Sequence, residues 1–473
     1  MLTATVYGDS RLSLWLRVRE FAVPPSMIET ASARRRAGDW AGACAAAGVD
    51  VDLDLRSVAR RHGRELAARV RADLRRLAPD LLRWHMPRVA PDGLLRPGTT
   101  LTLARYDGAG RTAADAPHLV ARTPPAWADA GQRISLALWD GPCSGTGRHP
   151  HPRPDRRFRL DLHRHLWDAR RSDELRVRSG ADRPPPTDGG PSADPAPPGN
   201  VPPGLGLAVD RWAAEAGILL RAEGRSSGAV AVRFGARRRL VLDLAAAEDG
   251  TPPGEAGAAT GGARVATAPP DGGFSALPVL PDAATWVLPD LALLRAGLLG
   301  PDRLHPLVAS ALAPDRTPSG SSPPRAAPGG PRLIECRGAR HRIGLVDGVL
   351  TALDHEPAEI RREELLAALG GPALPCLQVI DEAHRRPDCL TGVRERLDHG
   401  DTAGALAVVE GLLGPGALLR GGELRDELRA AAQRRVIHGL YRADLVGPGR
   451  APTHGDRRRT PAHRSRPRLA TFD

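Results

Sequence analysis

The stretch RLIECRGARHRIGLVDGVLTAL, residues 332–353, gives the clearest fold signal in the chain. It contains three short apolar runs, RLIEC, RIGLV and VLTAL, with turn-forming residues between them. Asp347-Gly348 between two such runs is a strong hairpin signal, because the tightest hairpin turns need positive φ at both central residues. The stretch therefore predicts a three-stranded antiparallel meander. The sequence from Pro357 to Tyr441 reads as helical, and a proline suits the first position of a helix.

Two segments upstream of this meander mix helix and strand patterns. In segment 1–178 we predict strands near 3–7 and 13–23, a capped helix start at Ser26-Met27-Ile28-Glu29, one long helix over 53–78, and strands over 99–105, 134–139 and 158–166. In segment 205–312 we predict a helix over 208–222 and a hairpin of strands 229–234 and 240–244. Since no strand-helix-strand unit repeats, the pattern predicts an α+β fold and not a doubly wound sheet.

The length of 473 residues is enough for several domains. The 52 glycines and 46 prolines are densest in stretches without apolar periodicity, which favours long disordered linkers. We predict a helical block framed by antiparallel strands, a second small domain, and a C-terminal β-meander followed by a helical bundle. The expected boundaries are an α+β domain at 1–178, a linker at 179–204, a small α+β domain at 205–312 with a disordered insertion near 249–273, a linker at 313–330, the meander and helical domain at 331–446, and a disordered basic tail at 447–473.

The chain contains no lysine, and all 67 basic residues counted as Lys or Arg are arginine. This excludes Schiff-base chemistry, the lysine-dependent phosphate loop and a protein-kinase site built on a strand lysine. The stretch LQVIDEAH, residues 377–384, therefore cannot be part of a nucleotide-driven motor, and its surroundings favour a helix with charged faces.

The five cysteines are irregularly spaced and include no CxxC pair, so we predict neither a disulfide framework nor a zinc module. In particular, the spacing of Cys376, His384, Cys389 and His399 matches no zinc motif. No basic segment followed by an apolar core begins the chain, and no apolar run approaches 18 residues, so we expect a cytoplasmic protein without a membrane partner. We predict no cofactor.

The net charge of +12 is concentrated in two places. Residues 51–100 carry eleven arginines against six acids, and residues 450–473 carry seven against two. On a continuous helix over 53–78, five of these arginines lie on one side and could hold phosphates; we call them the arginine stripe, namely Arg56, Arg60, Arg64, Arg71 and Arg75. A solvated or acid-paired helix face is the alternative interpretation.

The tail has almost no apolar residues, so we expect it to be disordered and able to neutralise phosphates without sequence preference. The arginines that would do so are Arg457, Arg458, Arg459, Arg464, Arg466 and Arg468. A solubilising tail without a partner is the alternative.

The stretch FRLDLHRHLWD, residues 158–168, alternates apolar and polar residues. On a strand, Asp161, His163 and His165 would project to the same side, an arrangement that occurs in metal-dependent hydrolases of the amidohydrolase type. No second ligand cluster with HExxH spacing follows.

Taken together, these patterns predict a non-catalytic interaction or regulatory protein that engages an unknown acidic protein partner or nucleic acid through arginine-rich surfaces. The alternative from a different class is a metal-dependent hydrolase built on Asp161, His163 and His165. Catalytic residues are not otherwise indicated, and the oligomeric state stays open.

Overall fold

The computed structural model describes residues 2–107, 116–129, 131–140, 153–183, 205–235, 238–245, 263–267, 276–314 and 332–447. These residues form an α+β protein with two compact units. The N-terminal unit contains the described residues within 2–127 and 133–314, and the C-terminal unit contains those within 128–132 and 332–447. Segments 1–178 and 205–312 therefore contribute to the same unit.

Eleven helices are described in the N-terminal unit. They are α1 Leu2–Phe21, α2 Pro25–Arg36, α3 Trp40–Ala46, α4 Leu55–His62, α5 Arg64–Arg76, α6 Pro79–His85, α7 Leu175–Ser179, α8 Val209–Ala222, α9 Asp282–Thr285, α10 Pro289–Arg295 and α11 Pro306–Leu312. The predicted helix over 208–222 is confirmed as α8.

The described strands of this unit form three separate sheets. They are β1 Val49–Val51, β2 Arg88–Val89, β3 Leu94–Leu95, β4 Thr100–Arg105, β5 His118–Arg122, β6 Ile134–Trp139, β7 Gly228–Arg233, β8 Arg239–Leu244 and β9 Ala263–Thr267. The largest sheet has the order β1-β6-β5-β4, in which only the β1–β6 pair is parallel, and the others are β2-β3 and β7-β8-β9. The predicted strands over 99–105 and 134–139 and the hairpin of the second segment are confirmed.

One buried core joins α1, α5 and α6, the four-stranded sheet, and α10 and α11. Two fully buried tryptophans, Trp84 and Trp167, lie in it. Since residues before 178 and after 288 share this core, neither part buries its apolar surface alone.

The C-terminal unit confirms the predicted meander and the helices after it. The strands are β10 Arg332–Cys336, β11 Ala339–Val346 and β12 Val349–Ala352, paired antiparallel in the order β10-β11-β12. The helices are α12 Pro357–Ala368, α13 Pro375–Arg385, α14 Leu390–His399, α15 Thr402–Leu413 and α16 Glu423–Arg442. LQVIDEAH lies within α13, as its surroundings indicate.

The predicted strands near 3–7 and 13–23 are wrong, since both ranges lie mainly in helix α1. The alternation that suggested a strand also repeats every four residues, because Leu14, Val18 and Ala22 are all buried along one helix face. The capping box is wrong too. Helix α2 begins at Pro25, and its N-cap residue, Pro24, has no side chain that can accept a hydrogen bond.

The single helix over 53–78 is also wrong, because the chain breaks at Gly63 into α4 and α5. Gly63 has φ of +92°, a backbone conformation that residues with a side chain rarely adopt. The arginine stripe is consequently divided between two helices.

Within the described residues, no helix combines the length and apolar character that crossing a bilayer requires. The linker and tail predictions fall mostly outside the described residues, and all six tail arginines do. The predicted disordered insertion near 249–273 is wrong in part, because residues 263–267 form β9 and pair with β8.

Candidate functional site

Among the described residues, Asp161, His163 and His165 do not come together as one set of metal-type ligands. Residues 158–166 are not a strand; they form turns and a short 3-10 helix, Arg164–Leu166. Asp161 forms an ion pair with Arg159, at 2.8 Å, and belongs to no cluster of metal-type ligands among the described residues. The alternation predicted one solvated polar face, but His163 and His165 are buried together with Phe158 and Leu160, so the pattern did not report exposure.

His163 and His165 contribute to a buried polar cluster. The Nε2 atom of His163 lies 3.2 Å from Glu215 Oε2, and Arg178 donates two hydrogen bonds of 2.6 and 2.7 Å to the same carboxylate. Burial alone would raise the pKa of Glu215, but hydrogen bonds from His163 and Arg178 lower it to about 2. Burial, together with His163 and Arg178, lowers the pKa of His165 well below its usual range. The ion pair of Glu215 and Arg178 thus holds both histidines in a buried polar cluster within the N-terminal unit.

The five arginines of the stripe are all exposed. Arg60 donates a hydrogen bond to Ser57 Oγ, and none of the five forms an ion pair with a described carboxylate. They are available to a partner, but they lie on two helices and line no cavity described here.

A different set of arginines does converge. A cavity of about 120 Å³ in the N-terminal unit is lined by residues from α1, the segment after α6, the loop at 157–160, and α9 with the residues after it. Six of the lining residues are arginines, and Asp282 is the only carboxylate among them. The arginines are Arg11, Arg19, Arg88, Arg96, Arg157 and Arg159.

Secondary structure explains how these side chains meet. Arg11, Trp15 and Arg19 are spaced four residues apart on α1, so they share one helix face. Arg88 begins β2, and Arg96 follows β3, so the β2–β3 hairpin brings both to the cavity. The remaining two arginines come from the loop at 157–160, which overlaps the start of the predicted strand over 158–166.

Three of the six arginines have carboxylate partners. Arg19 binds Asp290 through two hydrogen bonds of 2.7 Å. Arg157 binds Asp282 at 3.1 and 2.7 Å. Arg159 has two carboxylate partners: it donates two hydrogen bonds of 2.8 Å to Asp161 and one of 2.7 Å to Glu223.

The other three, Arg11, Arg88 and Arg96, form no ion pair with a described carboxylate. Arg88 is 1% exposed; its Nη2 donates to the carbonyl of Arg83 at 2.7 Å, and its buried Nε has no described partner. Burial, reinforced by the positive charges of Arg83 and Arg19, lowers the pKa of Arg88. Burial also lowers the pKa of Arg11, to about 10, against the attraction of Asp282. A buried guanidinium without a counter-charge is costly, and a bound anion would offset that cost.

Aromatic rings lie beside the arginines. The guanidinium carbon of Arg11 is 4.1 Å from the centre of the Trp286 ring, and that of Arg19 is 5.2 Å from the Trp15 ring. Phe158 also lines the cavity. The cavity thus offers flat apolar surfaces together with positive charge, which suits an anion that carries a planar or apolar part.

His85 lines the same cavity and is neutral at pH 7. Its Nδ1–H donates to the carbonyl of Leu166 at 3.1 Å, while Nε2 lies 3.8 Å from Asp290. Burial lowers the pKa of His85 to about 4; Asp290 opposes this shift, and the charges of Arg19 and His305 add to it.

We expect the free energy of unfolding of the N-terminal unit to fall by about 2 kcal/mol through His85 between pH 6.5 and 5. The unfolded state binds the proton near pH 6.5 and the folded state only near pH 4, so stability decreases as the pH falls through this window. Urea unfolding at pH 7 and pH 5 measures the change in wild type and in His85→Asn. The variant is expected to lose about 2 kcal/mol less than wild type over the same interval. Equal losses in the two proteins would contradict the assignment.

The sequence contained a partial signal for this cavity. The run RWHMPR, residues 83–88, holds two buried arginines and a buried histidine side chain. The net charge of a segment does not reveal this run, because net charge does not depend on whether a charged side chain is buried without a partner.

The comparisons with known proteins add no functional information, since no protein-family model, no curated protein and no solved structure matches the chain.

Proposed function

We propose that this protein binds a small organic anion in the arginine-lined cavity and acts as a binding or regulatory protein. The single observation that carries the proposal is Arg88, a guanidinium that faces the cavity, is buried, and has no carboxylate partner in the described chain. Removing such a charge from water costs several kcal/mol unless an opposite charge accompanies it. A ligand carboxylate or phosphate supplies that charge.

The size and lining of the cavity narrow the class of ligand. The cavity volume of about 120 Å³ limits the ligand to a small molecule. Guanidinium groups bind carboxylates and phosphates in two-point contacts, and the three aromatic side chains favour an apolar or planar body. A carboxylate or phosphate attached to one ring fits both conditions.

We expect phenyl phosphate and benzoate to bind wild-type protein, and phenol and benzamide to bind much more weakly, because only the first two carry the charge. Arg88→Met is expected to weaken binding of the anions by more than tenfold, as a charge-assisted hydrogen bond contributes about 1.5–3 kcal/mol. Isothermal titration calorimetry measures both effects.

Arg71→Met is the matched control, because it removes an arginine that is exposed and lies outside the cavity. Its affinity for the anions should equal that of wild type. No binding of any anion, or equal affinity for benzoate and benzamide, would refute the proposed function.

A second candidate is the engagement of an acidic protein or nucleic acid by the arginine stripe. It is favoured by the exposure of all five stripe arginines and by the lack of carboxylate partners among the described residues. Such binding would weaken steeply with added salt, and more steeply than binding of a small anion in the partly enclosed cavity. If this second candidate is correct, Arg71→Met is the variant that loses affinity for the acidic protein or nucleic acid, and Arg88→Met keeps it.

A further inference from the structure

Two cysteines and two histidines converge in the C-terminal unit, independently of the arginine-lined cavity. Their ligand atoms, one from each side chain, all lie within 4.8 Å of one another. The four residues are Cys336, His341, His355 and Cys376, and we call them the Cys2His2 cluster. We infer that the Cys2His2 cluster binds one zinc ion, which joins the meander to helix α13.

The strand register explains how the first two ligands meet. His341 is directly opposite Ile334 in the β10–β11 pair, so their side chains share one face of the sheet. Cys336 is two residues after Ile334 and therefore projects to that same face. Two ligands from one hairpin thus point toward the side of the sheet that packs on α13.

The other two ligands come from the loop after β12 and from the start of α13. Cys376 is the second residue of the 11-residue helix α13, so its position is set by the start of that helix. His355 directly follows Asp354, which Arg342 of β11 holds by a side-chain hydrogen bond of 2.7 Å. Both cysteines are fully buried, and the His355 side chain is 3% exposed.

The hydrogen bonds around His355 prepare it as a ligand. Its Nδ1 lies 3.2 Å from Glu359 Oε2 and can donate a hydrogen bond there, which directs the lone pair of Nε2 toward His341 and the rest of the cluster. Glu359 is held in turn by Arg337 Nη1 at 3.1 Å. A histidine oriented by a carboxylate in this way is the usual outer partner of a zinc-bound imidazole.

The two imidazole nitrogens also support a shared ion. Nε2 of His355 lies 2.6 Å from Nδ1 of His341. Two nitrogens bound to one tetrahedral zinc ion at about 2.0–2.1 Å are about 3.3 Å apart. The two imidazole rings therefore need to move apart by less than about 1 Å to admit the ion. Two thiolates and two imidazoles complete four-coordinate zinc, and no ligand position stays open for catalysis.

The apolar core between the meander and α13 is small, so a metal cross-link would add to its stability. Only seven residues form the buried core between the meander and α13. Several apolar side chains of the meander are instead exposed, among them Leu333 at 57% and Val349 at 45%. A core this small is commonly supplemented by a metal or by disulfides.

We expect full-length protein, purified without chelator, to contain about one zinc per chain by mass spectrometry of the metal. Cys376→Ser is expected to reduce the zinc content at least fivefold. Cys389→Ser is the matched control, because Cys389 lies in the same unit but outside the Cys2His2 cluster, and it should retain the zinc of wild type.

Two measurements on wild type keep the inference testable if Cys376→Ser does not fold. Removing metal with a chelator should lower the thermal midpoint of the C-terminal unit by about 10 °C or more. Adding Co²⁺ to the reduced, metal-free chain should give the visible absorption of tetrahedral cobalt with thiolate ligands. A chain that is purified without metal and takes up no Co²⁺ overturns the inference. A disulfide between Cys336 and Cys376 in freshly lysed cells overturns it too.

Discussion

Arg19→Met is expected to destabilise the N-terminal unit by about 3–5 kcal/mol, because it leaves Asp290 buried without its counter-charge. The two side chains are 1% and 0% exposed and are joined by two hydrogen bonds. Arg19 also donates to the carbonyl of Trp84 at 2.7 Å, and the Trp84 indole donates to Asp290 at 3.0 Å. One substitution therefore disrupts three connected groups in the core.

Arg88→Met is the matched control for this prediction. Arg88 is buried to a similar degree, but its removal leaves no carboxylate alone. We expect Arg88→Met to leave ligand-free protein as stable as wild type or more stable by about 1 kcal/mol or more, because it removes a buried guanidinium that has no counter-charge. All eight tryptophans of the chain lie in the N-terminal unit, so tryptophan fluorescence during urea unfolding reports on this unit selectively. If Arg19→Met and Arg88→Met lower the free energy of unfolding equally, the ion pair with Asp290 is not the reason for the effect of Arg19→Met.

Gly414→Ala is expected to destabilise the C-terminal unit by about 3–5 kcal/mol. Gly414 ends helix α15 with φ of +94°, where a residue with a side chain is strained. A Cβ atom there would lie 1.5 Å from the carbonyl oxygen of Gly348, in the turn between β11 and β12. The nearest atoms to this Cβ, which belong to Gly348 and Val349, are all backbone atoms. The clash can therefore be relieved only by moving the helix end or the turn.

Gly411→Ala provides the control in the same helix. Gly411 lies inside α15, and a Cβ there would meet no atom within 4 Å. It should stabilise the unit by about 0.5–1 kcal/mol, since alanine favours a helix over glycine. Thermal unfolding followed by circular dichroism measures both variants, with tryptophan fluorescence as the internal reference for the other unit. If Gly414→Ala and Gly411→Ala change the stability of the C-terminal unit in the same direction, the backbone clash at Gly414 is not what decides the effect.

Local signals predicted the elements whose residues interact mainly with near neighbours. The Asp347-Gly348 turn indicated the meander, which the structure confirms. The helix caps are equally local in the structure, since Asp39 and Asp401 accept hydrogen bonds from the backbone N–H groups of Gly42 and Gly404. The predictions at 13–23 and 158–166 failed where a two-residue alternation was compatible with a helix or a buried loop. In both places the surrounding core decided which side chains are buried.

Neither site could be found from spacing alone. The Cys2His2 cluster has gaps of 4, 13 and 20 residues between its ligands, which no short motif describes. The nearest cysteine and histidine to Cys376 in sequence are His384 and Cys389, whereas its partners Cys336 and His341 flank the first turn of the meander and His355 follows the last strand. The cavity arginines are spread from residue 11 to residue 159, so no local charge count reveals them.

The sequence by itself determined the α+β class, the meander, the absence of lysine chemistry, and where the positive charge is densest. Only the tertiary structure decided which charges lose their water and which of them find a carboxylate. Turns and helix caps depend on residues a few positions apart, so the sequence specifies them directly. Burial and ion pairing depend on residues up to 271 positions apart, as Arg19 and Asp290 are, and they are settled only when the core closes.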